Sequence, residues 1–313
     1  MLETETLNNG LKMPRLGLGT WMAKPKLTAE AVRVALRNGY RHIDCAWIYK
    51  NQKEVALGIR ESGVPRKDVF LTSKIWMTDF AAERVRPAVL EILHDLETTY
   101  LDQLLLHWPV AWKAGDKSDP QWYMPKDQYG HYDVDTKHDL MTTWSEMEHL
   151  YNEGLFKSIG VCNFSEIELF EILQKCQVKP AVNQVELHPF LQQEDLKHYC
   201  ISNGVLVTAY APLGSPGMGF EDLLKDETIG RIAAVHKTYP ANVLIRWSLQ
   251  KGHVVFPKST TPERIIENAN VYHFELSKHE MSMIDGLGTK IRRVFNPPFR
   301  SGGKPVFDSQ SNM

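Results

Sequence analysis

Along the chain, short apolar runs alternate with stretches in which apolar and polar positions recur at helical spacing. The runs are Leu16–Gly19, Tyr40–Asp44, Val69–Lys74, Leu104–His107, Ser158–Cys162, Ala181–Glu186, Val205–Tyr210 and His253–Pro257. Most are continuous rather than alternating, which suits strands covered on both faces, as in a parallel sheet. Between them, Thr28–Leu36 opens on a threonine N-cap signal and stops before Asn38-Gly39. Ala81–Leu96 and Leu140–Glu153 carry the same spacing, the second closing at Gly154. Thr261-Pro262 reads as an N-cap followed by proline at the first helical position. Trp144, Met147 and Trp247 fall in helix-like stretches and are predicted to be core.

Eight strand–helix alternations with short connections predict a parallel α/β architecture, and the number eight predicts a closed (α/β)8 TIM barrel. Within residues 1–14, Glu5–Leu7 and Leu11–Met13 flank Asn8-Asn9-Gly10 and predict a leading β-hairpin. Two connections are long. Pro109 to Asp139 holds Trp112, Trp122, Tyr123, Tyr129 and Tyr132, and Ala211 to Glu227 is rich in glycine and proline. Loops of that length in a barrel are usually functional or disordered. Residues 287–313 read as a C-terminal loop and flexible tail, matching no usable pattern. On this reading all 313 residues belong to one barrel domain, with no separate cofactor domain.

Composition narrows the class. A chain with 43% hydrophobic and 24% charged residues is neither disordered nor collagen-like. Lys plus Arg number 36 against 38 acids, so the basic excess of a nucleic-acid binder is missing. The four cysteines, Cys45, Cys162, Cys176 and Cys200, form no C-x-x-C pair and read as reduced thiols. The acidic start lacks an apolar signal region, and no apolar run reaches the ~18–20 residues that span a bilayer. The expectation is a cytoplasmic monomer acting on a small molecule, with no membrane, nucleic-acid or metal partner.

In such barrels the active site lies at the C-terminal ends of the strands. There the chain places Asp44, Lys74 and His107, with Tyr49 five residues beyond Asp44. Taken singly, each has an ordinary structural explanation: a cap, an ion pair, a packed ring. Together they form an acid–base device. A phenol with a pKa of ~10 is a poor proton donor near neutrality. An adjacent ammonium would lower that value. Lys74 can supply the charge, Asp44 can orient Lys74, and His107 can direct a carbonyl oxygen. Nothing in the set delivers a hydride, so the device needs a reduced cofactor.

Gly17-Leu18-Gly19 lacks the third glycine of a dinucleotide fingerprint, and a tight strand–loop turn explains it equally well. A different anion site is legible. Phe256-Pro257-Lys258-Ser259-Thr260-Thr261-Pro262-Glu263-Arg264 sets cations and hydroxyls at a helix N-terminus, where free N–H groups favour an anion. A solvated basic turn is the ordinary alternative. Trp21, Trp76 and Trp108 each lie within two residues of a strand end, and Trp47 and Ile48 precede Tyr49. They suggest an aromatic pocket for a carbonyl on a varied organic body.

Gly39-Tyr40-Arg41-His42-Ile43-Asp44-Cys45-Ala46, Tyr49, Thr72-Ser73-Lys74-Ile75-Trp76 and Leu106-His107-Trp108-Pro109 together resemble the aldo-keto reductases, from the hairpin to about Asn268. The resemblance implies the barrel, the tetrad Asp44, Tyr49, Lys74 and His107 with Tyr49 as general acid, and NADPH rather than NADH as cofactor. It also implies that Lys258, Ser259, Thr260 and Arg264 take the 2′-phosphate and that Glu267 and Asn268 contact adenine. Asn163 and Gln184 would bond the nicotinamide carboxamide, with Tyr210 stacked on its ring. Thr20, Leu213 and Ser215 would complete the cofactor site. Cys162 stands where the family pattern has serine, and Ala211 likewise, each removing one hydroxyl; Cys162 is either a buried inert thiol or an oxidation-sensitive position. Two other readings stay open on the same barrel: Lys74 as the Schiff-base nucleophile of an aldolase or lyase, and a non-catalytic NADPH-binding regulatory protein.

Overall fold

Eight parallel strands form one sheet in strict chain order: β3 (Leu18–Gly19), β4 (His42–Asp44), β5 (Phe70–Ile75), β6 (Gln103–Leu106), β7 (Ile159–Cys162), β8 (Val182–Glu186), β9 (Leu206–Tyr210) and β10 (Val254–Phe256). This computed structural model describes residues 3–115, 118–218 and 222–307. A parallel bridge between Leu16 and Val255 joins the last strand to the chain just before the first. Gly17 N donates to Val255 O at 2.9 Å and Val255 N to Arg15 O at 2.8 Å, so the sheet closes into the predicted barrel. Gly17 is required at that seam, because a Cβ there would meet the Phe256 ring at 2.8 Å.

The continuous apolar runs behave as expected. Every residue of β4 through β8 and of β10 is buried, since helices cover the outside and side chains fill the inside. The covering helices are α1 (Pro25–Arg37), α2 (Gln52–Ser62), α3 (Ala82–Asp95), α4 (Leu140–Asn152), α5 (Glu166–Leu173), α6 (Glu194–Ser202), α7 (Glu227–Val235), α8 (Pro240–Gln250), α9 (Pro262–Ala269) and α10 (Lys278–Asp285). Trp144, Met147 and Trp247 are fully buried core, as predicted.

Strand periodicity sorts the core into two populations. Ile43, Leu71, Leu104, Leu106, Val161 and Val255 join the main cluster with the helices. The alternate positions Phe70, Leu105, Cys162, Val182, Val254 and Phe256 form a second cluster with Leu7 and Met13 of the hairpin. The hairpin, β1 (Thr4–Thr6) paired antiparallel with β2 (Lys12–Pro14), thus packs on residues that begin β5, β8 and β10. It plugs the N-terminal end, leaving the opposite end for chemistry.

Three local expectations are corrected. The first helix begins at Pro25, not after Thr28; Lys24 is its N-cap, and Thr28 turns its hydroxyl onto Ala23 O and Lys24 O. A proline at N1 starts a helix without needing the threonine. In the 109–139 connection, antiparallel bridges pair Trp112 with Val134 and Lys126 with Tyr132, so of the two readings of a long loop the disordered one does not hold at those residues. Finally, residues 292–307 are no loose tail. Phe299, Val306 and Phe307 are buried, and Trp112 Nε1 donates to Phe299 O at 3.1 Å. Residues 308–313 of the predicted tail lie outside the described ones.

Among the described residues no helix is long and apolar enough to cross a membrane. No cluster of three or more metal-ligating side chains occurs among them, and all four cysteines are free thiols.

Candidate functional site

Asp44 ends β4, and Lys74 lies one residue before the end of β5. The 3₁₀ turn Trp47–Tyr49 carries the phenol back over that mouth, and His107 follows β6 directly. Lys74 is completely buried, with Nζ donating to Asp44 Oδ1 and Oδ2, both at 2.8 Å, and to Cys45 O at 3.0 Å. Three acceptors match the three donors of an ammonium. Asp44 is held in turn by Gln184 Nε2 at 2.8 Å. Lys74 Nζ sits 5.4 Å from the Tyr49 ring centre, and the Tyr49 and His107 rings meet edge to face at 5.8 Å. The four predicted residues therefore come together.

Their electrostatics differ from the sequence expectation in one respect. Lys74 does not lower the Tyr49 phenol: burial, with the Asp44 carboxylate next, pushes it well above its usual value. Asp44 offsets the ammonium charge that would have acted on the phenol. Burial and the Lys74 charge both hold His107 well below the usual imidazole range. The mouth thus presents a protonated phenol and a neutral imidazole. Nδ1 of that imidazole is buried without a hydrogen-bond partner among the described residues.

The residues predicted for the nicotinamide end also converge. Tyr210 OH donates to Asn163 Oδ1 at 2.8 Å, and Asn163 Nδ2 donates to His107 O at 3.0 Å. Asn163 holds a left-handed φ of 65°, which turns its amide into the mouth rather than along the strand. Among the described residues Gln184 Oε1 receives only a Cys162 thiol at 3.9 Å, leaving an acceptor for an incoming amide. Burial pushes the Cys162 thiol up, so it is a thiol and not a reactive thiolate. Thr20 is buried with its hydroxyl on Asp44 O at 2.9 Å.

The anion-binding candidates form a separate lip after β10. Lys258 and Arg264 are exposed, and among the described residues neither makes an ion pair. Ser259 and Thr260 are half-buried; Ser259 Oγ accepts from Thr261 N at 3.1 Å, so it orders the turn that Thr261 itself does not cap. Asn268 is buried, and Glu267 O accepts from Asn242 Nδ2 at 2.6 Å. Leu213 packs partly buried on the core, and Ser215 sits half-buried with φ 51°. The lip abuts the seam: a Cβ on Gly19 would lie 3.1 Å from Phe256 O and 3.6 Å from the Lys258 Cβ.

The aromatic residues are more enclosed than expected. Trp21 is 38% exposed and meets Phe295 edge on at 5.0 Å. Trp76 and Trp108 are buried, because Phe299 covers them edge on at 6.2 and 5.2 Å. Trp76 still lies 5.3 Å from the His107 ring and donates Nε1 to Tyr123 O at 2.7 Å. Trp47 turns its indole nitrogen to Glu91 at 2.8 Å, and Ile48 is half-buried beside it.

Sequence reasoning missed the segment that encloses them. Glu186, the fully buried last residue of β8, accepts Val294 N and Phe295 N, each at 2.8 Å, and His188 Nε2 at 2.9 Å. Phe295 is thereby set against Tyr210 at 5.6 Å. The signal for Glu186 was available: it is an acid ending an apolar strand, as Asp44 is.

Comparisons with known proteins agree with one another. The aldo/keto reductase family matches residues 15–289. Aldo-keto reductase family 1 member A1 of Gallus gallus is 41% identical over 310 residues, covering 96% of this chain and 93% of that protein. Its counterpart in Xenopus tropicalis is 42% identical over 315 residues, covering 97% and 94%. Among solved structures, the aldose reductase of Schistosoma japonicum superposes with a TM-score of 0.87 at 40% identity, covering 94% of this chain and 95% of that one.

Proposed function

Since the chain belongs to the aldo/keto reductase family, and is thus an oxidoreductase, we propose that it is an NADPH-dependent carbonyl reductase converting aldehydes or ketones to alcohols. The observation that carries this reading is the fully buried Lys74–Asp44 pair set beneath a protonated Tyr49 and a neutral His107.

The residues suit a nicotinamide dinucleotide phosphate. At one end Gln184 Oε1 is a spare acceptor and Tyr210 a ring; at the other Lys258 and Arg264, without ion pairs among the described residues, lie at the start of α9. Asn163 and Gln184 would hold the carboxamide, and Tyr210 would stack on the ring. Thr20, Leu213 and Ser215 would border the site. Lys258, Ser259, Thr260 and Arg264 would take the 2′-phosphate, with Glu267 and Asn268 at adenine. When bound, the reduced nicotinamide supplies the hydride.

His107, neutral, donates a hydrogen bond to the carbonyl oxygen and fixes its direction. As the carbonyl carbon gains the hydride, the C=O π pair moves onto oxygen, and the Tyr49 O–H bond breaks to protonate it. Burial holds that proton on the phenol until the opposing oxygen becomes the stronger base. The phenolate left behind lies beside the Lys74–Asp44 pair, with Lys74 Nζ 5.4 Å from its ring centre, and solvent restores its proton. Tyr49 serves as base in the reverse direction.

A Schiff-base role for Lys74 is disfavoured by its three hydrogen bonds and complete burial, which leave no lone pair to attack a carbonyl. The test is NADPH absorbance followed across aldehydes, aldoses and ketones. Consumption coupled to alcohol formation supports the reading; tight NADPH binding with no turnover on any of them favours a regulatory protein.

A further inference from the structure

Lys50, directly after Tyr49, has no role in the chemistry above, yet its placement is unusual. It closes the 3₁₀ turn in a left-handed conformation, φ 55° and ψ 31°, which a side-chain-bearing residue adopts at a cost. Its neighbours lock that geometry: Lys50 N donates to Trp47 O at 3.2 Å, and Asn51 Nδ2 donates to Thr20 O at 2.9 Å. The side chain is thereby laid over the Trp47 ring, with Nζ 2.9 Å from its centre and 4.7 Å from that of Tyr123.

These rings belong to one wall. It runs from His107 to Trp76 at 5.3 Å, through the Trp76 Nε1 bond to Tyr123 O, and on to Trp47, 6.1 Å from Tyr123. Lys50 sits over the outer end of that wall. The carboxylates nearest it, Glu91, Asp79 and Asp95, are each engaged elsewhere: Glu91 by Trp47 Nε1, Asp79 by Arg84 at 3.0 Å, and Asp95 by Lys53 at 3.6 Å. Among the described residues Lys50 forms no ion pair of its own. Aromatic faces attract a cation but supply no acceptor in line with its N–H bonds, so its donors stay available to an anion.

We infer that Lys50 is a specificity-determining residue, recognising an anionic group, a carboxylate above all, on the carbonyl substrate at the far end of the pocket from Tyr49. The inference rests on the carbonyl-reductase reading. It makes the preferred substrates aldehydes or ketones that carry a carboxylate some bonds away from the C=O. Lys50 keeps an exposed face, so an anion can reach it, while partial desolvation on the aromatic bed brings the ammonium down to about 8.

The experiment compares kcat/KM for 4-carboxybenzaldehyde, 4-methylbenzaldehyde and the cationic 4-(trimethylammonio)benzaldehyde in the full chain, with Lys50→Met and Lys50→Arg beside it. The expected result is a preference for the carboxylate over the methyl compound of about tenfold or more. Lys50→Met abolishes that preference through KM and improves the cationic substrate, and Lys50→Arg restores it. A loss in Lys50→Met that is equal for all three substrates, or an unchanged ratio, overturns the assignment and leaves the reductase reading intact. Turnover of none of the three by the unmodified chain counts against the reductase reading instead. Lys50 is then decided by binding of 4-methylbenzoate, read from tryptophan fluorescence, which Lys50→Met must weaken if the assignment holds.

Discussion

Tyr49 and His107 meet edge to face, 5.8 Å between ring centres and 75° between planes, with no hydrogen bond joining them. Because the two polar groups are not satisfied by each other, both remain available to a third atom between them, and a carbonyl oxygen fits that need. Replacing Tyr49 by Phe keeps the ring and removes the proton. Turnover should fall about 10²–10⁴-fold, while NADPH titrated against protein fluorescence binds as before. A Tyr49→Phe enzyme with undiminished kcat would take the phenol out of the mechanism.

Lys258 and Arg264 face solvent at the head of α9 with no ion pair among the described residues. If they hold a 2′-phosphate, Lys258→Ala and Arg264→Ala should each raise KM for NADPH about tenfold or more and leave KM for NADH nearly unmoved. An equal rise for both cofactors would mean that the lip does not discriminate between them.

Glu186 fastens the C-terminal segment by accepting two consecutive backbone N–H groups. In Glu186→Gln, the new amide turns a donor toward donors. Leaving such a buried group unmatched costs about 1–3 kcal/mol. Amide exchange at Val294 and Phe295 should quicken by about ten- to a hundredfold, with exchange in β5 unaffected. Equal protection in both proteins would show that the fastening lies elsewhere.

His42 is fully buried, bonded to Pro14 O and Thr72 Oγ1, and desolvation brings its imidazole down to about 4. An unfolded histidine titrates near ~6.5. Between those values the unfolded chain gains a proton that the folded one refuses, so stability falls as the pH drops from about 6.5 to about 4. His42 alone would account for roughly 3 kcal/mol of that loss. Urea titrations at pH 7 and pH 5 should show a smaller acid loss in His42→Gln than in the unmodified chain. Identical losses would contradict the assignment.

The barrel and its polar mouth were legible because strands covered on both faces leave continuous apolar runs. Asp44, Lys74 and His107 stood out as charged or polar ends of apolar runs, and the runs fixed their place. What was illegible depends on contacts distant in sequence. Glu186 meets Val294 across 108 positions, and nothing in Asn296-Pro297-Pro298-Phe299 announces that Phe299 will lie over Trp76, Trp108 and Trp112. The sign of the Tyr49 shift was misread for a similar reason. Lys74 was visible in the sequence as a charge, but its neutralisation by both Asp44 oxygens, and the burial of the phenol, are properties of the assembled site.

The seam between Leu16 and Val255 has a consequence for how the protein comes into being. The ring can close only after the eighth strand has been made, when more than four-fifths of the chain has left the ribosome. Until then the first strand waits with one edge open, a state prone to wrong pairing. The proposed phosphate lip straddles this seam, with Lys258 just after the last strand beside Gly19 from the first. A nascent chain therefore has no such lip at all, and a cofactor arriving at a finished barrel would act as a clasp on the last joint to form.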